Sequence, residues 1–598
     1  MKRAITVVIT FIFLLSLVFS NAETEDAVPI LFSVNLLSPN TSPVPNDWII
    51  TINNQLPKIG INISYHDSNS WSIIMPRTWY YPVEEPGYYD YIPTYEEGGF
   101  DIFLIGRIWN LDWNPRGVFD TAGLPPNGDN IYQFSNSTYD SILEQYTSEL
   151  DYDKRIELGK LLQSILYEEL PSIVVMYERE IINARVDITG IDYELLASNQ
   201  FLSEFWNDTD DQEIIIATPI EIDEYNVFTQ RSHIGDLWMH SVYRGLFQRV
   251  QNSHFFESSI ASSYNISDDG KQYNVTINPN AKFSNGEQVL AEDIKYSYEF
   301  YMADNLNLKT GTFLKEFFEN NDSIIILDNN TIQFNFKEEH FRSLEAMSYG
   351  IIDKSIVEPL IDLYKVSIIY DPPFTEDVGE TLVTACGPFM LDTFDEQRNN
   401  LTMIPNPYWH KKQPELKQIT IKFIPNLDSA IAAINSGNID IMDYNYRPYN
   451  NPGDYNSYVK SVLVKYPAIC EVIINLKHPI IGTGELTPDG TAEAAKHIRK
   501  AISHAIPREE IAEGYGQGIN APGVSPMPNA CVGYDNTLEY YKYDLDLARD
   551  YMEKAGYNFT LIASSNTFSI LMLSLIGLAS LTYFYKKNKQ IIYFLLDH

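Results

Sequence analysis

Strand-length apolar runs alternate with amphipathic helical stretches along most of this chain, a pattern that leaves room for little but α/β lobes. In a first block, residues 31–190, a helix is expected over Asp47–Leu56, leading into the alternating strand Gly60–Tyr65. Phe100–Ile105 reads as an apolar strand closed by Gly106. Ser137–Leu150 and Tyr152–Glu169 read as helices, the second stopped by Pro171 ahead of the strand candidate Ile173–Met176. The acidic run Asn207–Glu213, inside residues 191–214, is the best linker. A larger block, 215–556, opens on strand Ile214–Ala217 and carries the period-two strands Tyr273–Ile277 and Ile419–Phe423. Its helices are expected over Ala291–Tyr298 and Asp428–Asn435, with apolar residues at helical spacing between Glu493 and Ile506. With 598 residues the chain exceeds the ~100–200 of one typical domain and can bury several cores.

The ends give an address. Lys2 and Arg3 precede the apolar run Ile5–Phe19 and the small exit Ser20-Asn21-Ala22, the layout of an export signal over residues 1–22. Residues 568–585 are uncharged and, as a helix, would reach roughly 27 Å, the thickness of a bilayer core. Lys586, Lys587 and Lys589 follow, so the tail 586–598 is expected in the cytoplasm and the body outside, held by a single-pass anchor in the lipid bilayer. Ten Asn-x-Ser/Thr sites, from Asn40 to Asn558, agree with an extracellular glycoprotein.

Charge and motif content narrow the chemistry. Eighty acidic against 42 basic residues give a net charge of −38, which repels a phosphate backbone, and no nucleic-acid partner is expected. There is no phosphate-binding loop, no H-E-x-x-H pair and no nucleophile-base arrangement, so an enzyme is not expected, nor a metal or cofactor. Cys386, Cys470 and Cys531 lack metal-ligand spacing. A Cys470–Cys531 bridge and free buried thiols are equally open. Forty-one tyrosines, 30 phenylalanines and eight tryptophans, many in loop-like segments such as Tyr80-Tyr81 and Tyr88-Tyr89, suit a broad contact surface for an organic ligand.

Several stretches together resemble the extracellular solute-binding proteins of family 5, the dipeptide/oligopeptide-binding components of ABC importers. They are Ser267–Tyr273 with Ala281–Glu287 and Ala291–Ile294, Cys386–Phe389, Asn406–Trp409, Ala433–Asp440, Arg499–Glu509, and Tyr541–Asp544 through Ala555–Tyr557. Ile59–Ile61, Gly99–Ile102, Trp109–Pro115 and Asp151–Pro171 resemble landmarks that the family carries after the Ala-Gly-Tyr element, but here they come first.

The resemblance implies a type II periplasmic-binding-protein-like fold: two α/β lobes and a hinge, in circularly permuted order. The segment 31–190 would complete the second lobe and return to the first, while 215–556 would supply the first lobe and the start of the second. It further implies capture of oligopeptides for ABC permease subunits in the membrane, with Asp112 of Trp109-x-x-Asp112 as counter-charge for a peptide ammonium and Trp109 and Trp113 as pocket walls. Arg107 could meet a carboxylate, with surface pairing its plainer role. The anchor and possible glycans suggest an archaeal cell surface. Two other readings stay open: an oligosaccharide or other organic solute, and an adhesive or envelope-structure protein that kept the fold without transport.

Overall fold

The computed structural model describes residues 28–559 except 41–44, 199, 222–232, 254, 307, 365–382, 395–399, 448–451 and 516–517. The expected signal (1–22), span (568–585) and tail (586–598) lie outside the described residues, among which no helix is long and apolar enough to cross a membrane.

An eleven-stranded sheet organises the molecule. In chain order its strands are β1 Phe32–Pro39, β2 Ile61–Asn69, β3 Ile102–Ile108, β4 Ser172–Arg185, β5 Glu213–Thr218, β6 Phe389–Phe394, β7 Asn400–Pro405, β8 Gln418–Phe423, β9 Ile441–Met442, β10 Val459–Ile474 and β11 Ala521–Pro522. Across the sheet they run β6-β7-β8-β5-β9-β4-β10-β3-β1-β2, with β11 beside β4. The first block therefore supplies β1 to β4, and β10 of the larger block is inserted antiparallel between β3 and β4. The two blocks share one sheet.

Local chemistry sets the ends of these elements. Helix α1, Pro45–Gln55, buries Trp48, Ile49 and Ile52. Asn136 caps α2, Ser137–Ser148, by accepting from the Thr138 and Tyr139 amides, and Asp151 caps α3, Tyr152–Glu169, by accepting from the Lys154 amide. Leu170 closes α3 at φ 49°, and Pro171 then turns the chain into β4. Strand β3 runs on past Gly106 to Ile108 because Cys470, Ile469 and Ala468 of β10 pair with Gly106, Arg107 and Ile108. Cys386, Cys470 and Cys531 are all free and buried, so the bridge left open by the sequence does not form.

Two lobes emerge from the cores. At one end of the sheet, apolar clusters on its two faces draw almost wholly on residues 32–176 and 470–555. At the other end the clusters use residues 182–464, including a separate four-stranded sheet between Ala261 and Asn335. The stretch 191–214, expected as a linker, is built into this first lobe. Helix Tyr193–Ala197 and the pair Asn207–Asp208 on Ile188–Thr189 are ordered because Leu196, Phe201 and Trp206 are apolar enough to join its core.

Among the described residues, only β4 and β10 of the main sheet belong to both lobes. At 14 and 16 residues they are roughly 45–55 Å long. β4 pairs with β9 at Asn183 and Ala184, whereas β10 pairs with β3 from Ala468 onward. Their mutual register is interrupted between Lys465 and Ile469, a local break that suits bending between the lobes.

Glu180 sits on β4 beside that break, and burial, followed by the nearby Glu178 carboxylate, raises its carboxyl from 4.5 to about 8 despite Arg447. The folded chain therefore holds a proton that the unfolded chain releases above pH ~4.5, and this contribution to stability is lost as pH rises to about 8. Thermal melts of Glu180→Gln should show a higher midpoint than the parent at pH 8.5 and little difference at pH 4. An equal shift at both values would refute this assignment.

The ends of the described chain meet. Phe32 at the start of β1 and Tyr557 near the last described residues have ring centroids 5.6 Å apart.

Candidate functional site

The segment after β3 carries Trp109, Asp112 and Trp113 to the face of the second lobe that looks toward the first. Trp113 is fully buried and packs on Tyr146 of α2, with ring centroids 6.2 Å apart. Its backbone carbonyl accepts the Tyr146 hydroxyl at 2.7 Å. Trp109 packs 5.8 Å from Trp113 and stacks 6.4 Å from Phe119. The indole N–H groups of both tryptophans find no hydrogen-bond acceptor among the described residues. The two rings form one aromatic wall, Trp113 behind and Trp109 nearer the surface at 8% exposure.

Asp112 lies at the seam between the lobes. Its Oδ2 accepts from Arg249 Nη2 at 2.6 Å, in a pair whose side chains are 7% and 3% exposed. Arg249 ends the short strand Phe247–Arg249 of the first lobe, and its guanidinium stands 4.7 Å over the Phe256 ring. The residue expected to face a ligand ammonium thus holds a cation of its own chain. Removing two charges from water is costly, and their close contact and burial offset that cost only while both remain.

Other contacts extend the seam. The Phe341 amide donates to the Thr147 carbonyl at 3.0 Å, and the Tyr146 and Phe341 rings lie 5.3 Å apart. Tyr152 meets Phe255 at 4.5 Å, and Arg116 pairs with Glu338. Leu111 and Ala530 of the second lobe share an apolar cluster with Leu195 and Leu202. Between these contacts Asp112, Tyr146, Arg155, Ile156, Gly159, Phe341, Val532 and Gly533 line a cavity of about 10 Å³, the scale of a single water molecule.

The charges around it are asymmetric. Arg342 gives Glu345 two hydrogen bonds, at 2.7 and 3.0 Å. Burial opposes the charge on Glu345, but Arg342 and then Arg249 hold its carboxyl below the usual range. Burial and the adjacent Arg342 push His340 down to about 3, so it is neutral at physiological pH. Arg155, in the first turn of α3, lies 4.7 Å over the Phe341 ring and 5.4 Å over Tyr152. The one hydrogen bond of its side chain among the described residues is a long one, 3.5 Å, to the Glu149 carbonyl.

Arg107 does not stay on the surface in a loose pair. Its Nε lies 3.3 Å from Oε1 of Glu471, a fully buried carboxylate on β10 that also accepts from Tyr132 at 2.8 Å and from Ser172. This network ties β3, β4 and β10 together behind the seam.

The sequence singled out Trp109, Asp112 and Trp113, which the structure brings together, and held Arg155 only within the Asp151–Pro171 landmark, but gave no sign of Arg249 or Phe341. Arg249 is 137 positions from Asp112, and no local pattern links them. Among the described residues no group of three His, Cys, Asp or Glu side chains is placed to hold a metal ion.

Comparison with known proteins gives the family. A family model described as bacterial extracellular solute-binding proteins, family 5 Middle, matches residues 256–570. The chain is 26% identical over 301 residues to the "Probable D,D-dipeptide-binding periplasmic protein DdpA" of Escherichia coli, covering 50% of this chain and 53% of that protein. It is 24% identical over 324 residues to the oligopeptide-binding protein OppA of Bacillus subtilis, covering 50% and 54%. It thus spans about half the length of the curated relatives it matches. Among solved structures, the ABC transporter-associated periplasmic binding protein DppA from Helicobacter pylori in complex with peptide STSA aligns at 18% identity and a TM-score of 0.40, over 58% of this chain and 66% of that one. The family-model match covers more than half of the residues and includes the Ser267–Ile294 and Asn406–Trp409 stretches, and on that ground the chain belongs to the family 5 extracellular solute-binding proteins.

Proposed function

We propose that this protein is a membrane-tethered extracellular receptor that takes up an oligopeptide or a related organic solute between its lobes and delivers it to an ABC importer. One observation carries the reading. Two lobes with separate cores are joined through β4 and β10 alone within the main sheet, and they meet again at the seam of Asp112 and Arg249. Bodies joined by two long strands move as a hinge, and a solute that contacts both favours closure. Asp112 and Trp109 would contribute from the second lobe, with Trp113 supporting them from behind. Arg249 and Phe341 would contribute from the first.

The tether rests on residues 568–585 and the lysines after them, and export rests on residues 1–22. The order of the chain is read as a circular permutation, supported by the contact of Phe32 with Tyr557 and by the placement of β10 between two strands of the first block. The relatives named for peptide binding support a peptide as the solute.

Mass spectrometry of solutes released from protein purified from its native host, followed by small-angle scattering of residues 23–558 with those solutes added back, tests the receptor reading. The expected result is a smaller radius of gyration on adding the recovered solute. Absence of any released solute, together with unchanged scattering in a peptide mixture, would remove transport and leave a structural role for the fold.

A further inference from the structure

We propose that Arg249 sets the charge preference of the seam, so that the ligand group received there is an anion, a carboxylate or an acidic acyl end, and not an ammonium. This rests on reading the seam as the solute site. The argument is one of charge and access. Among the described residues Asp112 is the only carboxylate lining the cavity, and Arg249 holds it at 2.6 Å in a pair with almost no exposed surface. An incoming ammonium would have to displace a buried guanidinium and leave it without that carboxylate, at a high cost in free energy. Arg342 is matched by Glu345, Arg116 by Glu338, and His340 is neutral.

Arg155 is what remains. It lines the same cavity, is only partly buried, and has no carboxylate within ion-pair distance among the described residues. Phe341 and Tyr152 lie against its guanidinium, which leaves its planar fork suited to a carboxylate. Counting Asp112, its partner Arg249 and Arg155, the charged groups at the cavity thus carry one positive charge in excess, inside a chain whose net charge is −38. A local positive site in a strongly negative body discriminates by charge at short range, where a low dielectric keeps the interaction strong.

The test uses one peptide in three charge states: C-terminally amidated tetra-alanine with a free amine, an N-acetyl group or an N-succinyl group, titrated calorimetrically. The intact receptor should bind the succinyl form about tenfold or more tighter than the free amine. Arg155→Gln, at a partly exposed position that leaves the core intact, should erase that preference. Arg249→Met should reverse it toward the free amine by releasing Asp112; because it leaves a buried carboxylate unpaired, Arg155→Gln keeps the test decisive if Arg249→Met does not fold. A free-amine preference in the intact receptor, or a succinyl preference that survives Arg155→Gln, would overturn the charge assignment and leave the receptor reading standing. Binding of none of the three forms, with no change in scattering, would overturn both.

Discussion

Residues 28–190 produced alone will fail to unfold cooperatively, residues 191–559 produced alone will lack the second-lobe transition, and producing the two together will restore it. The second lobe cannot be divided at that point. Strand β10 has neighbours on both sides, β3 and β4, and both come from the first block. Without them the larger block exposes two unpaired strand edges, and the first block loses the strand that joins β3 to β4. Side chains of the larger block also finish the backbone of the first. Arg499 Nε donates to the Glu169 carbonyl at 2.9 Å, and Arg508 Nε to the Val174 carbonyl at 2.8 Å. Arg508 is 2% exposed, and its other bonds go to the Ser503 and Tyr541 carbonyls and the Ser503 hydroxyl. One apolar core takes Val34, Ile61 and Ile173 from one block and Ile498, Ile502 and Met552 from the other. Circular dichroism melts and hydrogen exchange of the two pieces, alone and together, decide the matter; two independent cooperative transitions would show that the blocks are separate domains.

Glu471→Ala should lower the stability of the second lobe by about 3–5 kcal/mol, the range for breaking a buried charge pair by removing one partner. Glu471 has no exposed surface, and it answers to three donors: Arg107 at 3.3 Å, Tyr132 at 2.8 Å and Ser172. Truncation leaves a guanidinium at 16% side-chain exposure without its counter-charge and strands two buried hydroxyl groups. Asp546→Ala is the matched control. Its pair with Arg549 at 3.1 Å is exposed on the Asp546 side to 96%, and such a deletion should lie within about 0.5 kcal/mol of the parent. Urea unfolding followed by tryptophan fluorescence measures both, and similar midpoints for the two variants would show that the Glu471 network carries no net stability.

How far the sequence reveals this molecule depends on the range of the interaction involved. Periodicity and stop signals are local, and they read well. The helix expected over Tyr152–Glu169 is observed over those residues, with Asp151 as its cap and Pro171 beyond its end. The period-two run Tyr273–Ile277 forms a strand with alternating burial. Strand β10 is hard to read because Pro467 interrupts its run of apolar residues and its pairing comes from partners hundreds of positions away. The linker reading of 191–214 followed its run of acids and overlooked Leu195, Leu196, Phe201 and Trp206, whose burial fixes the segment. At the seam, Trp109-x-x-Asp112 was visible as a local motif. Arg249 was not, because a buried ion pair between distant segments leaves no mark in either one.

The meeting of Phe32 with Tyr557 has a mechanical meaning. Both rings sit on the core of the second lobe, away from the β4 and β10 span that joins the lobes. A pull on either end of the described chain therefore enters through the second lobe, which holds the first end by the β1–β2 pairing as well as by this ring contact. On the reading proposed above, a hold at either end of the described chain fixes the second lobe and leaves the first free to turn.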